Sequence, residues 1–187
     1  MKSYLRHLPN LISVVRIILV VPIIWSLLHG RFAWAFWLFV IAGASDGLDG
    51  FLAKRFGWSS RLGGILDALA DKLLLVSTFV CLWWLGIFPW WLVLAVLARD
   101  LVIVIGATIY NFRIETVEPE PSLASKLNTF LQIALAAVGV IQLGFGGVPD
   151  WLMQPLVWAV MLTVTLSGAG YVRKWSSRAR VRGVHHD

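Results

Sequence analysis

The chain has 187 residues, of which 59% are hydrophobic and 14% are charged, with 11 tryptophans and a formal net charge of +6. Soluble domains average about 45–50% apolar and about 25% charged residues, so this composition excludes a water-soluble globule, a disordered chain and a disulfide scaffold. The cations lie at the ends of apolar segments, where anionic lipid headgroups would meet them, so they indicate an integral membrane protein and no nucleic-acid partner.

Six apolar segments predict membrane-spanning helices, since a helix needs roughly 20 residues to cross about 30 Å of hydrocarbon. In chain order we predict spans at 11–28, at 32–45, from about 61 to a tight turn at 86–89, at 90–112, at 127–148 with a start near 123, and at 151–172. The turn is marked by Gly86 and Pro89 between two tryptophan pairs, because proline ends helices and tryptophan favours the membrane interface. The second span runs into a charged stretch, so its last turns are expected to protrude from the bilayer.

Lysine and arginine are concentrated on one side of these spans. They precede the first helix, flank the turn between the second and third, end the fourth and fill the tail at 173–187, whereas the opposite turns contain only Arg31. By the positive-inside rule, both termini and the turn between the second and third helices face the cytoplasm. We expect the basic tail to rest on anionic lipid and Arg113–Ser122 to form a solvated acidic connector. Because Arg16 interrupts the first apolar segment and no small-x-small site follows, we expect no cleaved signal peptide.

The predicted fold class is therefore all-α, with residues 1–187 forming a single membrane domain of six transmembrane helices. Four aspartates lie in the two helices that flank the turn between the second and third spans: Asp46, Asp49, Asp67 and Asp71. Within each helix the two aspartates are three or four residues apart and share a face. The short connection makes the helices antiparallel neighbours, so the four carboxylates can converge. Ionisable residues inside spans are costly, which makes each of them a functional hypothesis.

Converging carboxylates need cations, because both mutual repulsion and desolvation favour protonation. Hard divalent cations take all-oxygen ligands, and two such ions bridged by carboxylates form a clamp used for phosphoryl transfer. The pattern therefore predicts two divalent cations, Mg²⁺ or Mn²⁺, and a pyrophosphate substrate. Gly50 and Gly63 would let a diphosphate approach the backbone, and Lys54 could supply a positive charge to phosphate.

Other interpretations of the aspartates remain open. They could form interfacial ion pairs with nearby cations, namely Lys54, Arg55, Arg61 and Lys72. They could line the pathway of a cation transporter, although carboxylate rings in channels usually arise from oligomeric repetition. A membrane prenyltransferase also combines aspartate-rich helices with Mg²⁺ and a diphosphate, but it would need two acidic motifs far apart in the chain.

The pattern D-x2-D-G-x2-A-R-x8-G-x3-D-x3-D runs unbroken from Asp46 to Asp71, except that Lys54 stands in the arginine position. It resembles the signature of the CDP-alcohol phosphatidyltransferase family, and the segment from Pro9 to Arg16 is similar to the family's opening motif. The lysine keeps the charge but lacks the bidentate fork of arginine. The resemblance implies a membrane enzyme, usually a homodimer, that transfers the phosphatidyl group from CDP-diacylglycerol to an alcohol and releases CMP.

The resemblance also implies roles for individual residues. Asp46, Asp49 and Asp67 would hold one metal ion, and Asp46, Asp67 and Asp71 would contact the second. Asp71 would also be the catalytic general base that deprotonates the acceptor alcohol. Contacts to CDP-diacylglycerol are expected from Asn10, Gly50, Lys54, Ser60 and Gly63. A multi-pass protein of the bacterial inner membrane, with its site facing the cytoplasm, is the expected setting.

The acceptor alcohol is expected to bind near helices four and five, and Arg16, Arg99 and Lys126 are its candidate contacts. The runs Arg99-Asp100 and Ser125-Lys126-x-Asn128-Thr129-x2-Gln132 look more like the CMP-forming cardiolipin synthases, whose acceptor is phosphatidylglycerol. Phosphatidylglycerophosphate synthases, which use glycerol 3-phosphate, are the alternative, but two cations expected for that dianion are missing. An ordinary ion pair within helix four is an equally open interpretation of Arg99 and Asp100.

Overall fold

The computed structural model describes the backbone of residues 8–56, 61–113 and 123–183, and the side chains of 10–48, 55–56, 63–105 and 123–170. These ranges contain six helices: α1 (Leu8–Leu28), α2 (Phe32–Phe56), α3 (Arg61–Trp84), α4 (Trp90–Arg113), α5 (Leu123–Gly144) and α6 (Asp150–Gly183). The predicted all-α class is therefore confirmed for the part of the chain that is described. The connector expected after Arg113 and the last residues of the basic tail, 184–187, lie outside the described residues.

Two of the predicted helix ends differ from the observed ones. The fifth helix ends at Gly144 rather than at 148, because Gly146 and Gly147 adopt positive φ angles of 67° and 73°, a left-handed conformation that stops a helix. The sixth helix continues to Gly183, well beyond the predicted end at 172. The turn predicted at 86–89 is present, and Gly86 has a φ of 77° there.

Membrane character is carried by three long apolar helices. Among the described residues, the segments long and apolar enough to cross a membrane are Asn10–Leu28, Leu123–Gly144 and Asp150–Gly170, and a shorter apolar helix covers Phe32–Leu48. Large apolar side chains point outward along all six helices, including Ile18, Trp34 and Trp151. So much exposed apolar surface suits lipid rather than water as the surrounding solvent.

The chain divides into two compact units, the first made of Met1–Phe88 and Ala136–Pro149. In this unit α1 packs against both α2 and α3. The buried face of α1 carries Val20, Ile23 and Leu27 at helical spacing, and Arg16 continues that face by one more turn. Small buried residues on the partner helices, Ala35, Ala42 and Ala70, allow the backbones to approach closely. The packing thus brings Arg16 between the two helices that carry the aspartates.

The second unit consists of Pro89–Leu135 and Asp150–Asp187. Here α4 packs against α6, and their described buried apolar side chains are valines on both helices together with Leu92 on α4. The rings of Trp91 and Trp158 lie 5.7 Å apart across it. Polar residues are also buried in this unit, among them Arg99, Asn128 and Gln132. Buried polar groups in an apolar helical unit must find hydrogen-bond partners or bind something that supplies them.

Candidate metal centre

Three carboxylates meet where α1, α2 and α3 pack together. Asp46 comes from α2, and Asp67 and Asp71 come from successive turns of α3. One oxygen of each lies within 4.8 Å of the oxygens of the other two. The convergence expected from the spacing in the sequence is therefore present for these three side chains.

Arg16 of α1 lies at the centre of this cluster. Its Nη1 lies within hydrogen-bonding distance of three carboxylate oxygens, 2.7 Å from Asp46 Oδ1, 3.1 Å from Asp67 Oδ1 and 2.5 Å from Asp71 Oδ1. The arginine side chain is 0% exposed, whereas the three carboxylates are 37%, 41% and 39% exposed. The guanidinium is thus enclosed by the helices, and the carboxylates can be reached by a ligand.

The charge of the cluster favours a further cation. When ionised, three carboxylates against one guanidinium leave an excess of two negative charges in a partly buried place. Carboxylate oxygens are the ligands preferred by Mg²⁺ and Mn²⁺. Oxygens bound to one such ion at about 2.1 Å lie at most about 4.2 Å apart, so oxygens that lie within 4.8 Å of one another are near the separation that one ion requires. The residues present therefore fit a divalent cation.

No described atom fills the space beside Gly64, on the α3 face that carries two of the carboxylates. Gly64 precedes Asp67 and Asp71 by three and seven residues, which places all three on one helix face. No described atom lies within 4 Å of the position that a Cβ on Gly64 would take. A substrate could occupy this space next to the cluster without displacing any described atom.

The other predicted site residues of this unit are only partly described. Asn10 and Gly63 are half-buried, in the first turns of α1 and α3. Asp49, Gly50 and Lys54 are helical in backbone, but their side chains lie outside the described residues, and Ser60 lies outside them entirely. The structure therefore places Asp46, Asp67 and Asp71 together with Arg16, while the predicted CDP contacts remain predictions.

In the second unit Arg99 is held by three helices. Its Nη1 donates to Asp100 Oδ1 at 2.8 Å, and its Nη2 donates to Ser125 Oγ at 2.7 Å and to Ser167 Oγ at 2.9 Å. Arg99 and Asp100 are both buried, so the ion pair considered from the sequence is present. Lys126, the other predicted acceptor contact on this side, is exposed.

Two buried amides of α5, Asn128 and Gln132, had no role predicted from the sequence. Asn128 is fully buried, and its Oδ1 accepts a hydrogen bond from Thr163 Oγ1 at 3.0 Å. Within the described part of the chain, Asn128 Nδ2, Gln132 Nε2 and Arg99 Nε are buried without a hydrogen-bond acceptor. The signal was available, because Ser125, Asn128 and Gln132 follow helical spacing on one face of an otherwise apolar helix. Such donors suit a ligand rich in oxygen.

Comparisons with known proteins agree with these features. The family profile described as CDP-alcohol phosphatidyltransferase matches residues 6–166. A "Probable phosphatidylglycerophosphate synthase" of Mycobacterium tuberculosis (strain CDC 1551 / Oshkosh) is 28% identical over 182 residues, covering 92% of this chain and 83% of that protein. A "Cardiolipin synthase (CMP-forming)" of Streptomyces coelicolor is 38% identical over 104 residues, covering 52% of this chain and 48% of that protein.

A third relative, from Oryza sativa subsp. japonica, is named "CDP-diacylglycerol--glycerol-3-phosphate 3-phosphatidyltransferase 1, chloroplastic". It is 32% identical over 188 residues, covering 90% of this chain and 57% of that protein. The matched profile includes the whole pattern from Asp46 to Asp71, so the resemblance carried by those residues is confirmed. This chain belongs to the CDP-alcohol phosphatidyltransferase family.

Proposed function

We propose that this chain transfers the phosphatidyl group of CDP-diacylglycerol to the free hydroxyl of phosphatidylglycerol, forming cardiolipin and releasing CMP. The observation that carries the reaction class is the convergence of Asp46, Asp67 and Asp71 at distances that suit divalent cations. Asp46, Asp49, Asp67 and Asp71 would hold two such ions, Mg²⁺ or Mn²⁺, which when bound would neutralise charge on the pyrophosphate oxygens.

The remaining chemistry belongs to the residues of the chain. Asp71 takes the proton of the acceptor hydroxyl as that oxygen forms its bond to the β-phosphorus, and the bond from this phosphorus to the CMP oxygen breaks. The partial exposure of Asp71 supports this role, since the acceptor must reach its carboxylate. Asn10, Gly50, Lys54, Ser60 and Gly63 bind the CDP group, and the open face beside Gly64 leaves room for it.

The choice of phosphatidylglycerol is supported by the chemistry around Arg99. Asp100 offsets the arginine charge, and the unsatisfied buried donors of Asn128 and Gln132, on the helix that also carries Ser125, are neutral amides. A phosphodiester carries one negative charge and needs less compensation than the dianion of glycerol 3-phosphate. Arg99 and Lys126 are the proposed acceptor contacts, whereas the described ion pairs of Arg16 are with the aspartates.

Glycerol 3-phosphate is the second candidate acceptor. It is favoured by the mycobacterial relative named as a phosphatidylglycerophosphate synthase, whose similarity extends over 92% of this chain. The Streptomyces relative named as a cardiolipin synthase is more similar at 38% identity, but over 52% of the chain. The two acceptors must therefore be compared by experiment.

We also propose a multi-pass arrangement in a bacterial inner membrane, with six spans, both termini and the catalytic face in the cytoplasm, and a homodimeric assembly. Three helices long and apolar enough to span, and the shorter apolar part of α2, support the multi-pass arrangement. The concentration of lysine and arginine on one side supports the orientation. Reaction of cysteines introduced at Ser3 and Val148 with an impermeant reagent tests it, because these positions are expected on opposite sides.

The function is tested with purified protein in lipid micelles that contain CDP-diacylglycerol and Mg²⁺ or Mn²⁺. Phosphatidylglycerol, glycerol 3-phosphate, inositol phosphate and serine are offered separately, and CMP is quantified beside lipid mass spectra. Asp71→Asn is the blank, and Asp150→Asn removes the same charge from an exposed position at the start of α6 as a matched control.

We expect CMP and cardiolipin with phosphatidylglycerol, loss of both in Asp71→Asn, and wild-type rates in Asp150→Asn. CMP with glycerol 3-phosphate alone would keep the reaction class and replace the acceptor. If no acceptor yields Asp71-dependent CMP, the phosphatidyltransferase proposal fails, and cation flux through proteoliposomes would then test the transporter alternative.

A further inference from the structure

Arg16 Nη1 has more carboxylate oxygens close to it than it has hydrogens to donate. This nitrogen carries two hydrogens, yet three carboxylate oxygens lie within 3.1 Å of it. Three separate and well-aligned hydrogen bonds are therefore impossible at this atom. The oxygens of Asp46, Asp67 and Asp71 surround Nη1 as ligands surround a cation.

A divalent cation would need the same oxygens. An ion bound at about 2.1 Å to all three must lie among them, where Nη1 lies now at 2.5 to 3.1 Å. One position cannot hold both groups, and two cations in contact would repel each other. The guanidinium must therefore leave these oxygens before the ion can bind all three.

The Arg16 side chain is also buried away from water. It is 0% exposed and lies on the buried face of α1, in line with Val20 and Ile23. A buried guanidinium is costly unless acidic partners offset the loss of hydration. The aspartates supply that compensation, and the guanidinium in turn reduces the repulsion among the aspartates.

We propose that Arg16 is an internal counter-cation, which holds the three carboxylates together until a divalent cation replaces it at their oxygens. This inference rests on the proposed function only in taking the cluster as a metal site. Two consequences follow for a variant without the guanidinium. The metal-free protein loses stability because the carboxylates repel one another, and divalent cations bind more tightly because no internal cation has to be displaced.

The test measures Mn²⁺ binding and thermal unfolding of the purified protein in detergent, without any CDP-lipid. Arg16→Gln is expected to lower the Kd for Mn²⁺ by about 10-fold or more, the factor associated with losing a competing hydrogen bond between charged groups. Its Tm without divalent cations should fall, and the rise in Tm on adding Mg²⁺ should exceed that of the wild type.

Two further variants make the result specific. Arg31→Gln removes the same charge from an exposed arginine that lies over the Trp25 ring, and it should leave Mn²⁺ affinity unchanged. Arg16→Lys keeps the charge without the planar fork, so it should bind Mn²⁺ more tightly than the wild type but less tightly than Arg16→Gln. If Arg16→Gln does not fold, the comparison of Arg16→Lys with the wild type decides the question.

Mn²⁺ affinity at or below the wild-type value in the folded Arg16 variants would overturn the proposal. The outcome is independent of the transfer reaction, because binding is measured without substrate. Tighter Mn²⁺ binding in a protein that releases no CMP would support the counter-cation and refute the phosphatidyltransferase. Normal CMP release by the wild type, together with unchanged Mn²⁺ affinity in the Arg16 variants, would support the phosphatidyltransferase and refute the counter-cation.

Discussion

Replacing Gly64 by alanine tests whether the substrate occupies the space beside this residue, because the change should affect substrate binding and protein stability differently. Gly64 lies inside α3, on the face that carries Asp67 and Asp71, and no described atom lies within 4 Å of its potential Cβ. The new methyl group therefore clashes with no described part of the protein. If the CDP group occupies this space, the methyl group meets the substrate instead.

Gly64→Ala is expected to raise the stability of the protein and to lower its kcat/KM. A glycine inside a helix is less favourable than alanine by about 0.5–1 kcal/mol, so Gly64→Ala should stabilise the protein by that amount. For a chain of this size the gain corresponds to a rise in Tm of about 1–4 °C. Overfilling a packed contact costs about 1–3 kcal/mol, so kcat/KM for CDP-diacylglycerol should fall by about 5- to 150-fold.

The assay is CMP release at varied CDP-diacylglycerol and saturating acceptor, beside thermal unfolding of the same preparations. Gly170→Ala is the matched control, because Gly170 is equally open, lies inside α6 and shares no helix with the four predicted metal-binding aspartates or the predicted CDP contacts. Gly170→Ala should gain the same stability and keep its kcat/KM. Unchanged kcat/KM in Gly64→Ala would refute the assignment of this face to the substrate.

Three further predictions concern the buried polar residues and the metal. Arg99→Leu should lower the free energy of unfolding by about 3–5 kcal/mol, because the buried Asp100 loses its ion pair with Arg99. The double variant Arg99→Leu/Asp100→Leu should recover most of that loss in denaturant unfolding. Gln132→Met removes an unsatisfied buried donor and should leave the stability unchanged or raise it by about 1 kcal/mol. The KM for the acceptor should rise, and the KM for CDP-diacylglycerol should stay the same. A rise in both KM values would argue against an acceptor contact. Chelation of divalent cations should abolish CMP release and lower Tm, and Mg²⁺ or Mn²⁺ but not Na⁺ should restore both, whereas full activity in excess chelator would contradict a metal centre.

Much of the helical framework was readable in the sequence, because helix formation depends on local composition and periodicity. The starts of α2, α3 and α4 at Phe32, Arg61 and Trp90 agree with the predicted ones, since apolar runs and turn residues mark them directly. The end of α5 was predicted too late, because the apolar residues near Phe145 continue the pattern of the span. The positive φ angles of Gly146 and Gly147 stop the helix there, and composition does not reveal backbone conformation.

The sequence by itself also determined the family and the facing pairs of aspartates, because their spacing along each helix decides which side chains share a face. Only the tertiary structure decided that Arg16 lies among Asp46, Asp67 and Asp71, which are 30 to 55 residues away along the chain. Helical periodicity places Arg16 on the buried face of α1 but does not say which helices cover that face. The packing of α1 against both α2 and α3 makes that choice, and it places the Arg16 guanidinium within hydrogen-bonding distance of the three carboxylates.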